Sequence, residues 1–411
     1  MAQKRIYLDH AATTPVSEAA RKAMEPYFSA QFGNPSSLHS FGQEASSALD
    51  LAREKIAGLI GAEFREIIFT GSATEANNLA LRGTIRKIKD QGLRIKKPNI
   101  IVSAIEHESV LETGRAISNV VEVVELPVDT EGRVDLKKFE NSLDENTILV
   151  SVMYGNNVVG TIQDIPKIFE IIKNFRNIIS NYPLFHTDAV QAFQYLDCDV
   201  NALGVDMMTI SSHKIYGPKG AGALYIKRNH KSQTTNHKQI QNPNVQKSKL
   251  WNLSPLATGG GQEFGLRSGT ENIPAIVGFA KAAEEAVKIR EKEAKRLEKL
   301  KELLWKEIKK AVPQATRHAA GAKTLPHILN VAFPGASKNL VARLDALGLA
   351  VSSGAACSTR AQEASYALLA MGIPEELARR SIRFSLGRST TEREIKQAAK
   401  VVKEARRDVA Q

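Results

Sequence analysis

Short, continuous apolar runs recur along the first 260 residues, and helix-period stretches separate them. Residues 66–70 (EIIFT), 99–103 (NIIVS), 147–153 (TILVSVM), 183–188 (PLFHTD), 206–211 (DMMTIS) and 222–226 (GALYI) read as strands. Most are apolar throughout instead of alternating, which is the pattern of strands covered on both faces. Strands that take turns with helices predict a mostly parallel α/β sheet with helices on both sides. In such sheets ligand-binding groups collect on the loops at the carboxyl ends of the strands.

Three later segments change the pattern. Residues 228–253 are polar, basic and rich in Asn and Gln, and read as a flexible surface insertion. Residues 281–310 form a long helix whose apolar stripe is Leu297, Leu300, Leu304 and Ile308. Two further strands, at 327–333 and 381–385, flank a helical region and predict a second, smaller α/β domain. The expected division is a large domain over 15–265, and a small one built from 1–14 and 266–411. No internal repeat is visible.

Composition narrows the classes. The 411 residues suffice for two domains or one large one, and 43% hydrophobic content excludes a disordered chain. No apolar run approaches the ~20 residues of a membrane helix. The N-terminus lacks an apolar signal region and is short and acidic for a transit peptide, so a cytoplasmic protein is expected. The net charge is +12. Without an aromatic-interleaved basic motif, it reads as a generally basic surface, and no direct nucleic-acid binding is expected. The two cysteines, Cys198 and Cys357, exclude a disulfide framework and have no metal-ligand spacing.

Five features fall at strand ends. TGSATEANN at 70–78 follows a strand and opens a helix, where free N–H groups and the dipole favour a phosphate. It could equally be an ordinary turn with Thr74 as cap. Asp188 closes an apolar strand, where a carboxylate needs a partner such as a cationic ring nitrogen, or else serves as a helix cap. Lys214, in SSHKIYGPKG at 211–220, stands among hydroxyls, a histidine and a Gly/Pro turn. That setting suits a lysine forming a Schiff base with a phosphorylated carbonyl compound, although a lone loop lysine is usually just solvated. His107 could stack on an aromatic cofactor and move protons, though most single histidines do neither. Cys357 lies in a run of small residues, SSGAACS at 352–358, and reads as an exposed thiol in use; Cys198 reads as a buried structural one. Lysine, aspartate, histidine and a small-residue helix start on one sheet are the parts needed to hold pyridoxal 5'-phosphate.

These residues resemble the cysteine desulfurases, within the fold-type I, class V aminotransferase-like pyridoxal-phosphate enzymes. The resemblance also runs through YLDHAATTP at 7–15, GNPSS at 33–37, Glu106-His107, Asn156-Asn157, HTDAVQ at 186–191, RSGT at 267–270 and SIRFSLGR at 381–388. It implies Lys214 as the Schiff-base lysine, His107 as the residue stacked on the pyridine ring, Asp188 as partner of the ring nitrogen, and Gln191 as contact to the ring hydroxyl. Ala73, Thr74, Ser211 and His213 match phosphate contacts. Thr270 matches a phosphate contact donated across a homodimer. Asn156 and Arg383 match residues that hold the substrate carboxylate, and Cys357 matches the sulfur-accepting nucleophile.

The implied activity is conversion of L-cysteine to L-alanine, with sulfur carried as a Cys357 persulfide towards an acceptor protein for iron–sulfur clusters or thiolated tRNA and cofactors. Lys214 is then the expected base for the substrate α-proton, with His107 as an acid/base partner. A selenocysteine lyase or another class V lyase or transaminase is the alternative, against which Cys357 in its loop argues. No metal is expected. The chain departs from the family pattern at Val158, where an acidic residue usually follows the asparagine pair, and in the 228–253 insertion. It ends at Gln411 without the longer tail by which some members dock a scaffold, which leaves the sulfur acceptor open.

Overall fold

The computed structural model describes residues 5–90, 95, 97–178, 182–228, 251–337, 339–353 and 364–407. In chain order its strands are β1 (Ile6–Tyr7), β2 (Ile67–Thr70), β3 (Asn99–Ser103), β4 (Glu122–Leu126), β5 (Thr147–Ser151), β6 (Leu184–Asp188), β7 (Met207–Ser211), β8 (Gly222–Ile226), β9 (Thr316–Arg317), β10 (Ile328–Ala332), β11 (Leu349–Ala350) and β12 (Ser381–Ser385). Seven of them form the main sheet in the order β2-β8-β7-β6-β5-β3-β4. The ladders joining β3 to β4, β3 to β5, β5 to β6 and β6 to β7 are parallel. Only β8 runs against its neighbours. The segment between β7 and β8 holds a single 3-10 turn, too short for a helical crossover, so the chain doubles back.

The six strands read from the sequence in this region all form, most of them buried at every position. The seventh, β4, was not anticipated. It lies at the sheet edge with Glu122 and Glu125 exposed, so it lacks the two-sided burial that marks the others.

The C-terminal part carries an antiparallel sheet of order β12-β10-β9, to which the two strands read from the sequence contribute β10 and β12. Alternation along β12 explains its function. Ile382 and Phe384 enter a core with Leu297, Leu304 and Ile308. On the opposite face Arg383 reaches Asn157 O and Asp9, and Ser385 Oγ accepts from the Ala11 amide. The N-terminal β1 pairs with β11 of this same part.

One long helix, Ile273–Ala311, runs through both bodies. Ile276, Phe279 and Ala283 pack with Phe69 and Phe185 in the large core, while Leu297, Leu300, Leu304 and Ile308 belong to the second. The insertion is narrower than 228–253. Trp251 and Leu253 are 2% and 1% exposed, and the Ser254 amide donates to Gly83 O. At the other end the Arg228 amide donates to Glu66 Oε1. The stretch between them lies outside the described residues.

Candidate active site

A cavity of about 300 Å³ opens at the carboxyl ends of β6 and β7. Ala73, Thr74, His107, Asp188, Gln191, His213, Lys214 and Arg383 all line it. Residues from five separate stretches of sequence therefore meet in one place.

Each is held by its local structure. Lys214 ends the 3-10 turn Ser212–Lys214 that follows β7, and its Nζ donates to Ala11 O at 2.6 Å and Ala12 O at 2.7 Å. Asp188 is the last residue of β6 and 4% exposed. Its Oδ1 accepts from the Val190 amide and its Oδ2 from Asn77 Nδ2, both at 2.9 Å. Both donors are neutral, so the buried carboxylate is solvated without being neutralised. His107 caps the Glu108–Ile117 helix: its Nδ1 accepts from the Ser109 amide at 3.0 Å. That bond leaves the ring proton on Nε2. His213 Nδ1 pairs with Thr13 Oγ1 at 3.1 Å, and burial, then the charges of Lys214 and Lys219 and nearby His107, lower its pKa to about 4.

Arg383 is 3% exposed and spans two partners. It donates to Asn157 O at 2.8 Å and forms an ion pair with Asp9 at 2.8 Å. Its Nε is buried with no hydrogen-bond partner. Asn156 does not line the cavity. Its side chain is spent on backbone groups, with Oδ1 accepting from the Val158 and Val159 amides of its own turn and Nδ2 donating to the distant Ile105 O. The next residue, Asn157, lines the cavity, and its Oδ1 is buried without a partner. The pair was visible in the sequence; which member faces inward is decided by the turn. Val158 is fully buried in an apolar cluster with Ile105 and Met371, where an acidic residue would lack a partner.

Two site residues lie elsewhere. Ser211, at the end of β7, is buried beside the Lys214 turn, and its Oγ has no partner. Thr270 is exposed and takes no part in the cavity of its own chain. Cys357 lies outside the described residues. Both flanks of its segment reach the site, however. Ser352 exchanges backbone hydrogen bonds with Arg383, and Tyr366 lines the cavity while its hydroxyl donates to Glu106 O at 2.6 Å. Cys198 is fully buried, and burial pushes its thiol up to about 12, consistent with a structural residue.

Glu106 was not singled out from the sequence beyond its place beside His107. It is fully buried, with Oε1 accepting from Ser103 Oγ at 2.5 Å and from the Met153 amide at 2.6 Å. Burial raises its pKa to about 8 against these two bonds.

The donor set fits pyridoxal phosphate. Ser72, Ala73 and Thr74, at the start of the Ala73–Asp90 helix, line the cavity. A Cβ on Gly222 would stand 2.8 Å from the Ser72 carbonyl carbon, so only glycine lets β8 support this cradle so closely. The unpartnered Ser211 Oγ is an available phosphate donor. The carboxylate of Asp188 has no ion-pair partner among the described residues, as a protonated ring nitrogen requires.

Comparison with known proteins agrees with this geometry. Residues 6–398 match the Aminotransferase class-V family. The cysteine desulfurase IscS of Dictyoglomus turgidum is 39% identical over 96% of this chain and 92% of its own. The putative cysteine desulfurase IscS 1 of Bacillus subtilis is 41% identical, over 97% and 98%. A solved NifS-like protein superposes with a TM-score of 0.84 at 35% identity, covering 97% of this chain and 98% of that one. A solved structure described as SspA in complex with cysteine gives 0.74 at 34%, covering 92% and 98%. The chain therefore belongs to the class-V aminotransferase family and, within it, to the cysteine desulfurases.

Proposed function

We propose that this enzyme binds pyridoxal 5'-phosphate through Lys214 and converts L-cysteine to L-alanine, with the sulfur passing to Cys357. The observation that carries the reading is the convergence of Lys214, Asp188 and His107 on one cavity. A structural neighbour that holds cysteine supports the choice of substrate. When bound, the cofactor supplies an electron sink for a substrate amine.

The chain's own groups do the rest. Asp188 would hold a proton on the ring nitrogen. His107 would lie against the ring and present Nε2–H. Ser72 to Thr74, Ser211 and His213 would receive the phosphate, and Gln191 the ring hydroxyl. Arg383 and Asn157 face the substrate carboxylate; Asn156 shapes the turn that presents Asn157. Lys214 Nζ, once freed, is the group placed to carry the substrate α-proton. Cys357 Sγ then attacks the substrate sulfur: an S–S bond forms as the C–S bond breaks. Cysteine and a thiol go in, alanine and a persulfide come out, and no outside oxidant is needed.

Three further elements belong to the reading. We place the division between the two bodies inside the Ile273–Ala311 helix, between the stretch that enters the large core and the stretch that enters the small one. Thr270, exposed on its own chain, serves a neighbouring subunit in a homodimer. An acceptor protein takes the sulfur from Cys357 in the cytoplasm. No helix among the described residues is long and apolar enough to cross a membrane.

The test is Lys214→Ala. The parent protein should show the visible band of a lysine-linked cofactor and be trapped by borohydride at Lys214. The variant should lose both. A band that survives, trapped at another lysine, would overturn the assignment.

A further inference from the structure

A buried histidine with no role assigned above reaches the site through consecutive hydrogen bonds. His327 directly precedes β10, is 3% exposed, and stacks on Tyr195 with ring centroids 4.3 Å apart. Its Nε2 lies 3.2 Å from Gln191 Oε1. Gln191 Nε2 in turn donates to Ala11 O at 2.9 Å. The same carbonyl accepts from Lys214 Nζ at 2.6 Å.

The direction of this chain of bonds is forced from one end. A carbonyl only accepts, so Gln191 must turn its NH2 to Ala11 and its oxygen to His327. His327 must then donate from Nε2. Its Nδ1 is buried without a partner, so a second ring proton there would be an unsatisfied donor. Burial first, then neighbouring Lys301, His10, Arg383 and Lys214, holds its pKa well below the ordinary 6.5. The ring is therefore the neutral Nε2–H tautomer, and each bond fixes the orientation of the next.

We propose that His327 is a positioning residue for the lysine: it locks the Gln191 amide, and through it the Ala11 carbonyl that holds the Lys214 amine. The inference rests on the cofactor reading above. It gives the C-terminal body a direct grip on the site, since His327 leads into β10 while Gln191 follows β6. Without the histidine donor the Gln191 amide is free to flip, and Ala11 loses the partner that fixes its carbonyl beside Lys214.

His327→Phe keeps a ring on Tyr195 and removes the donor. In the purified, cofactor-loaded protein it should shift the pH midpoint of the visible band. It should also weaken cofactor retention about threefold to tenfold, the scale of one buried hydrogen bond. His327→Gln, which returns an N–H near Nε2, should recover most of both changes. A folded His327→Phe protein with unchanged midpoint and retention would overturn the proposal. Nitrogen NMR of histidine-labelled parent protein gives a check that needs no variant: a neutral Nε2–H ring between pH 6 and 8 supports the relay, and an Nδ1–H tautomer or a titrating ring overturns it. A parent protein with no visible band would overturn the cofactor reading and this inference with it, whereas an unchanged variant overturns this inference alone.

Discussion

At the scale of single residues, the two cysteines separate the chemistry from the scaffold. Cys198 is fully buried with its thiol pushed up to about 12, so it is neither ionised nor reachable at neutral pH. Cys357 lies outside the described residues, four positions beyond Ser353 in the sequence. Ser352 is itself tied to Arg383, a cavity residue. Cys357→Ser should therefore leave the cofactor's visible band and the response to L-cysteine intact, while abolishing the protein persulfide and nearly all alanine production. Cys198→Ser should leave both products in place and cost stability, because it puts a hydroxyl in an apolar core. Mass spectrometry after brief exposure to L-cysteine decides the matter: an added sulfur atom on Cys198, or full turnover by Cys357→Ser, would sink the mechanism.

At the scale of elements, the sequence was legible where one physical demand dominated. Strands covered on both faces leave continuous apolar runs, and β3, β7 and β8 stand at or within a residue of their expected bounds. Edge strand β4 escaped because only one of its five residues is buried and two are exposed. Two strands of the small sheet were legible, but not their direction, because apolar pattern carries none. The motifs located the cavity-lining lysine, aspartate, histidine and arginine, but not the choice between Asn156 and Asn157, nor Tyr366 and His327. Those depend on how a turn is capped and on which distant elements meet. The Ser72–Thr74 cradle shows such a meeting, because β8 approaches the Ser72–Ala73 turn closely at Gly222. Gly222→Ala should push that turn aside at a cost of about 1–3 kcal/mol of overpacking strain. Cofactor retention should fall more than thermal stability of the apo-protein does. Equal retention in equilibrium dialysis would show that the cradle tolerates the shift.

At the scale of the whole molecule, acid should unfold the protein early. Burial lowers His10, His186, His213 and His318 from 6.5 to about 4 each. Their unfolded forms bind protons first, so the stability they confer is present above pH 6.5 and is lost as pH falls towards 4. Glu106, raised to about 8, works in the opposite sense between 4.5 and 8 but is a single group. The melting temperature should drop steadily from pH 7 to pH 5, and a flat profile would contradict the buried neutral histidines. Assembly makes the remaining demand. Phe28, Phe32 and Leu38 are 66%, 68% and 91% exposed, and Phe32 packs on the half-exposed Phe41 with centroids 5.6 Å apart. Clustered aromatics left in water are costly unless another surface covers them. Thr270 is likewise exposed, where the proposed homodimer needs it to reach a neighbouring cradle. Phe32→Glu changes a side chain that the isolated chain hardly buries, so the fold should survive. The charge would have to be desolvated in an interface, so the dimer should weaken strongly. If so, sedimentation should show a monomer at assay concentration, and that monomer should retain less cofactor, because it lacks the partner's threonine. Thr270→Ala should weaken retention in a protein that remains dimeric. A fully loaded, active Phe32→Glu monomer would mean that each chain completes its own site, and that the exposed aromatics serve some other contact.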